Sequence, residues 1–121
     1  MNLLAVNVNY PSSYSVLAVS AILAYYGRAH VPIGATRPLT NATFFDSWSY
    51  NLAEFASKVA YHYSGGSLPW GHAEDAWDPV RLYRKCLAEA RDDSVTIASI
   101  GFFENVSKAL SVRGQLMRQF G

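Results

Sequence analysis

The chain has 121 residues, half of them apolar and 16% charged, with a formal net charge of +1. That length fits one domain and that composition a globular one, able to bury roughly two thirds of its unfolded surface. Near-neutrality without a run of Lys or Arg argues against nucleic-acid binding driven by phosphate neutralisation, and the single cysteine, Cys86, excludes an intrachain disulfide and a cysteine-built metal site.

In chain order, residues Leu3 to Val8 form a short apolar run that ends at Asn7 and Asn9 and reads as a buried strand of a parallel sheet. Pro11, Ser12 and Ser13 supply a turn and a helix start. Val16, Val19, Leu23 and Tyr26 then lie at helical spacing, and Gly27 suits the left-handed residue just past a helix end. The uncharged stretch from Val16 to Tyr26 is too short to span a bilayer, and it lacks the basic start of a signal peptide, because the first basic residue is Arg28. It reads as a buried helix, so no membrane partner is expected, and with one cysteine the chain reads as cytoplasmic. Val31 to Ile33 reads as a second short strand, and Gly34, Pro38 and Asn41 as loop. A helix is expected over Tyr50 to Tyr61, with Leu52, Phe55, Ala56 and Val59 inward. Residues Ser64 to Trp77 read as loop. At Asp78-Pro79 the Asp can cap free amides and the Pro fits the first turn, so a helix begins there, with Val80, Tyr83, Leu87 and Ala90 at helical spacing. Val95 to Ile100 reads as another buried strand, broken by Gly101, and Phe103, Val106 and Leu110 point to a further helix. The tail from Arg113 to Gly121 is polar and weakly patterned. Strands alternating with helices predict an α/β fold with a mostly parallel sheet flanked by helices, and ligands in such sheets sit beyond the carboxyl ends of the strands. Two such ends are readable, Asn7 to Asn9 and Ile100 to Asn105.

Several residues invite a chemical reading. His72, Glu74, Asp75 and Asp78 gather potential ligands within seven residues, but they match no known ligand spacing, and Asp78 already serves as a helix cap. Tyr61, His62 and Tyr63 could stack on a base, although aromatics at the end of an apolar helix more often pack at the rim of a core. Cys86 lies beside Arg84 and Lys85, which can lower a thiol pKa, yet it reads as a structural, half-buried residue. Gly65, Gly66 and Gly101 form neither a phosphate loop nor a dinucleotide fingerprint. Asn41-Ala42-Thr43 and Asn105-Val106-Ser107 match the glycosylation pattern, a triplet that arises often by chance. Asn9 stands out: at a strand's carboxyl end its carboxamide either binds sugar hydroxyls as donor and acceptor or ties its own turn.

Three stretches, in order and at matching spacing, resemble the nucleoside hydrolases, which cleave ribonucleosides to base and ribose. The first is Leu3-Leu4-Ala5-Val6-Asn7-Val8-Asn9 with the helix ending Ala21-Ile22-Leu23-Ala24-Tyr25-Tyr26-Gly27. It is similar to the family's second strand, its Asn-bearing turn and the following helix. The second, Val31-Pro32-Ile33-Gly34-Ala35-Thr36-Arg37-Pro38-Leu39, resembles the family's Val-Pro-Val-x-x-Gly-Ala-x-x-Pro-Leu segment. The third runs from Ser94 to Asn105 and resembles a strand and turn Val-x-Gly-x-Leu-Thr-Asn, with Glu104 in place of the Thr. The likeness spans roughly Leu3 to Leu110 and is nearest in style to divergent fungal-type members.

The resemblance implies a Rossmann-like core and a calcium-dependent hydrolase of N-glycosidic bonds, in which a hard cation holds the ribose hydroxyls and the attacking water, and a carboxylate activates that water. Residue by residue, Asn9 and Asn105 match substrate-binding Asn positions, and Ile100 matches a residue whose backbone carbonyl binds calcium. The family's Asp-x-Asp-x-x-x-Asp-Asp motif, which would precede Leu3, has no counterpart, since the first carboxylate is Asp46. The distal His-Asp pair also has none, and His72 lacks the glycines that flank its family equivalent. The chain therefore reads as a single nucleoside hydrolase-like domain over residues 1–121 that lacks the family's first strand and C-terminal part, assigns no catalytic residue, does not bind calcium tightly and is inactive alone. The alternatives are a non-catalytic module that binds nucleosides or a protein, and a partial subunit completed by another chain. The absent first strand implies an exposed sheet edge, which invites a homo-oligomer.

Overall fold

The structure, a computed structural model, describes residues 1–41, 55–101 and 103–111. Two strands, β1 (Val6–Val8) and β2 (Ile33–Ala35), run parallel, with Val6 opposite Ile33 and Val8 opposite Ala35, and helix α1 (Ser13–Tyr25) makes the crossover between them. Parallel strands need such a connection, and this one gives a mixed α/β domain. Both strands are shorter or shifted relative to the sequence reading. Pro32 explains the shift of the second: its carbonyl accepts from Val6 N–H at 3.1 Å, but it has no N–H to give, so the ladder begins at Ile33 and extends through Gly34, expected in a loop. Trp77 adds a single parallel bridge on the far side of β2, exchanging hydrogen bonds with Ile33 and Ala35 at 2.9 Å.

Alternation along the strands decides which helix covers which face. Val6, Val8, Ile33 and Ala35 point to one face, where they meet Val16, Leu17 and Leu23 of α1 in the main core. Helix α2 (Phe55–His62) packs on α1 from beyond. α1 is buried around most of its girth, at Val16, Leu17, Ala18, Ser20, Ala21 and Leu23, rather than along one stripe. Its uncharged sequence allows that, and Tyr26, expected inward, lies past the helix end and is exposed. That end is a Schellman closure: Gly27 adopts φ 69, its N–H donates to Ala24 O, and Arg28 N–H donates to Leu23 O at 2.7 Å. Ser20 is buried and accepts from Leu68 N–H, while a Cβ at Gly66 would strike the Ser20 backbone, so the loop after α2 lies directly on α1. In α2 only Ala60 is buried, Phe55 is exposed, and Leu52 with the expected start of this helix falls outside the described residues.

The opposite face of the sheet carries helix α3 (Pro79–Glu89), seated on β2. Asp78 caps it as expected, its carboxylate accepting from Arg81 N–H at 2.9 Å with Pro79 in the first turn. Its inward stripe is rotated from the expected one. Leu82 is fully buried and Cys86 half-buried, whereas Leu87 is exposed. The cause is Gly34: a Cβ there would meet Leu82 Cδ2 at 3.2 Å and collide with Asn7 Oδ1, so the missing side chain makes the hollow that Leu82 and Asn7 fill. On the solvent side, Lys85 Nζ donates to both carboxylate oxygens of Glu89 at 2.9 Å, and this hydrogen bonding holds the Lys85 pKa above its ordinary value.

The segment from Val95 to Ile100 is not the buried strand its sequence predicts. It forms no ladder, Ile97 is 43% exposed and Ile100 wholly exposed. Its apolar, β-branched composition is right for a strand, but that composition reflects packing against neighbours, and the run hydrogen-bonds to no strand among the described residues. Residues 104–111 are helical as expected, though Phe103 and Leu110 are exposed and Asn105 is the buried member. No helix among the described residues is long and apolar enough to cross a membrane.

Gly34→Ala is expected to destabilise the fold by about 1–3 kcal/mol through overpacking, and Asp78→Ala by about 1 kcal/mol through loss of the cap, both read from denaturant midpoints at unchanged slope.

Candidate functional site

Beyond the carboxyl end of β1 lies a cavity of about 380 Å³. Asn7, Val8, Asn9 and Tyr10 form one wall, Ser15 and Tyr83 contribute from α1 and α3, and residues 98–101 pass along the other side. This is the location in which parallel α/β sheets hold ligands. The local sequence explains the arrangement. Period-two alternation places Asn7 and Asn9 on the face away from the α1 core, and Asn7 Nδ2 reaches Pro79 O at 3.4 Å. Gly101 closes the far end, where a Cβ would come within 3.7 Å of Asn9 Nδ2. Among the described residues the lining therefore presents two carboxamides, two hydroxyls and two phenols, and no charged side chain. A larger space of about 680 Å³ opens between α3 and the helical segment 104–111, lined by Leu87, Val95, Ile97, Val106 and Leu110 and by the charged residues Arg84, Arg91, Asp92 and Asp93 of α3 and the turn after it. The smaller cavity, at the carboxyl end of a parallel strand, is the better candidate.

The three residues singled out from the sequence fare differently. Asn9 and Ile100 both line the cavity. Asn105 is not part of its lining; it is 1% exposed, its Oδ1 accepts from Thr36 Oγ1 at 2.9 Å, and its Nδ2 donates to Val8 O at 3.4 Å. It ties the helical segment to the end of β1. The same burial removes it as a glycosylation acceptor. Tyr10, Ser15, Tyr83 and Ser99 join the site only through the fold. Tyr83 had a sequence signal, its inward place on α3, but the others had none.

The calcium that the resemblance implies needs six to eight oxygen ligands, with carboxylates to balance its charge. The described lining offers carboxamides, hydroxyls and backbone carbonyls such as that of Ile100, a set that does not fit a tightly held calcium. The His72 to Asp78 group is also dispersed in role. Glu74 pairs with Arg37, which further donates to Glu74 O and Ala76 O; His72 Nδ1 lies 3.1 Å from Asp75 Oδ2; and Asp78 caps α3. Among the described residues no three His, Cys, Asp or Glu side chains group as a metal site. Tyr61, His62 and Tyr63 are exposed, and Tyr61 meets Trp70 edge-on at 5.3 Å, itself stacked on Tyr14, so these rings pack chiefly on one another. Cys86 is half-buried.

Asn105→Ala removes one carboxamide that serves two buried partners. It is expected to cost about 1–3 kcal/mol in urea denaturation, more than Asn41→Ala at the exposed counterpart, which should be near neutral.

No family model, curated protein or solved structure matches this chain.

Proposed function

We propose that the chain is a nucleoside hydrolase-like domain that binds a ribonucleoside in the cavity at Asn9 and does not cleave it. The observation that carries this reading is the chemistry of the lining: carboxamides and hydroxyls suited to ribose hydroxyls, phenol rings suited to a base, and no charged side chain among the described residues. A neutral lining favours a neutral ligand over a phosphorylated one, because a phosphate would be desolvated without a cation or a cluster of amides to compensate it. Asn9 stands at the carboxyl end of β1, where it offers donor and acceptor to vicinal hydroxyls, and Tyr10 and Tyr83 flank the same space. Cleavage of the N-glycosidic bond asks for more: a base to take the proton of the attacking water, and charge to support an oxocarbenium-like ribose. No carboxylate stands in the described lining to do either.

Calorimetric titration with inosine, with uridine and with the corresponding 5′-monophosphates tests the reading. Saturable binding of the nucleosides is expected, with the monophosphates weaker, and Asn9→Ala is expected to lower nucleoside affinity about tenfold. A parallel assay for free ribose, with calcium or with chelator, is expected to show no turnover. Calcium-dependent ribose release would replace the binding reading with a catalytic one, and absence of nucleoside binding at millimolar ligand would remove both.

A further inference from the structure

The run Val95-Thr96-Ile97-Ala98-Ser99-Ile100 is uncharged, free of Gly and Pro, and β-branched at four of its six positions. Among the described residues none of its backbone N–H or C=O groups bonds to another backbone group. It passes beside the edge of β1 that β2 leaves free. Val6 N–H donates to Pro32 O and Val8 O accepts from Thr36 N–H, both toward β2. Successive residues of a strand turn their backbone groups to opposite edges, so the N–H and C=O of Asn7 point the other way, to the side of the cavity that residues 98–101 bound. Two rows of backbone groups without ladder partners therefore border one cavity, and pairing is what satisfies such rows.

We infer that this run is a strap that closes on β1 as a third parallel strand, in the order β2, β1, run. The connection fits. Helix α1 covers one face in the step from β1 to β2, and α3 covers the other in the return step across β1, as right-handed crossovers in opposite directions require. The register follows from Gly101, where a Cβ would come within 3.7 Å of Asn9 Nδ2, so that Gly101 falls opposite Asn9 and Ser99 opposite Asn7. Alternation then turns Val95, Ile97 and Ser99 to the face of Asn7 and α3, and Val95 and Ile97 already line the space beside α3. Ala98 and Ile100 turn to the face of Val6, Val8 and α1. The structure shows the open position, with Ile100 fully exposed. Closing brings Ile100 beside Val8, gives Asn7 N–H to Ala98 O, and gives Ile100 N–H to Asn7 O. A ligand in the Asn9 cavity occupies the space that the closed ladder needs, so strap and ligand compete; that competition rests on the nucleoside reading, and the ladder does not.

Amide exchange of the full chain by NMR, without ligand, tests the inference. The amides of Asn7, Ala98 and Ile100 are expected to be protected at least about tenfold more than those of Ile97 and Ser99, which point away from β1 in the closed ladder. Ile100→Pro removes the N–H that reaches Asn7 O and is expected to abolish this protection, whereas Ser99→Pro removes one that faces outward and is expected to leave it. Millimolar inosine is expected to speed exchange at Ala98 and Ile100. Fast exchange throughout 95–100 would overturn the inference. So would protection at Ile97 and Ser99 in place of Ala98 and Ile100, protection that Ile100→Pro leaves unchanged, or protection lost on dilution, which would assign it to another chain. Inosine that binds by calorimetry without changing exchange would overturn the competition. Failure of inosine to bind sinks the nucleoside reading alone, because the ladder is read without it.

Discussion

The close approach of β1 and β2 at Asn7 and Gly34 governs the arrangement of everything around the sheet. The ladder is only three residues long on each strand, and so few hydrogen bonds do not hold a sheet by themselves. What holds it is that both faces are filled. On one face the Val and Ile side chains of the strands meet α1, and on the other Leu82 and the Asn7 carboxamide occupy the volume that Gly34 leaves open. The arrangement has a cost: Asn7 Oδ1 is buried and accepts no hydrogen bond, and a buried acceptor without a donor costs about 1–3 kcal/mol. The burial of Leu82 and the core beneath α1 offset it.

That constraint also sets the character of the site. With Asn7 committed to the floor and α3 drawn onto Gly34, the space beyond the strand ends is bounded by Asn9, Tyr10 and Tyr83 and by backbone from 98 to 101. Every described side chain that lines it is neutral. In an aqueous cleft a neutral lining discriminates mainly against charge, since each desolvated phosphate or carboxylate would need a partner that is missing, whereas hydroxyls exchange water for carboxamides at little net cost.

Much of the fold was legible where local physics decides. Asp78-Pro79 and Gly27 mark helix ends through capping and backbone conformation and stand where those rules place them, while Ser12 takes the N-cap position of α1 without a side-chain capping bond. The first strand, its crossover helix and the return strand followed from hydrophobic pattern, with the error at Pro32 confined to two residues. What was not legible depended on neighbours. The inward face of α3 follows from a hollow at Gly34, 48 residues earlier than Leu82, and no spacing within α3 reveals it. The run 95–100 has the composition of a buried strand, yet burial requires a partner, and composition cannot supply one. Asn9, placed by its sequence just after a strand, lines the cavity there, while Asn105 is buried against Thr36 and Val8 outside the lining, a position that only the fold reveals.

The bond from Asn105 to the Val8 carbonyl joins residues 97 positions apart. Closing a loop of that span costs conformational entropy before any contact repays it, and contacts of long sequence separation slow folding. Synthesis proceeds from the N-terminus, so β1 and α1 leave the ribosome well before the residue that secures the end of the first strand. For that interval the N-terminal half can settle its helix and its two strands, but the rim at Val8 stays unsealed. The end of β1 is therefore finished by a side chain made 97 residues later, and stalling anywhere before Asn105 leaves that end of the strand without its tie.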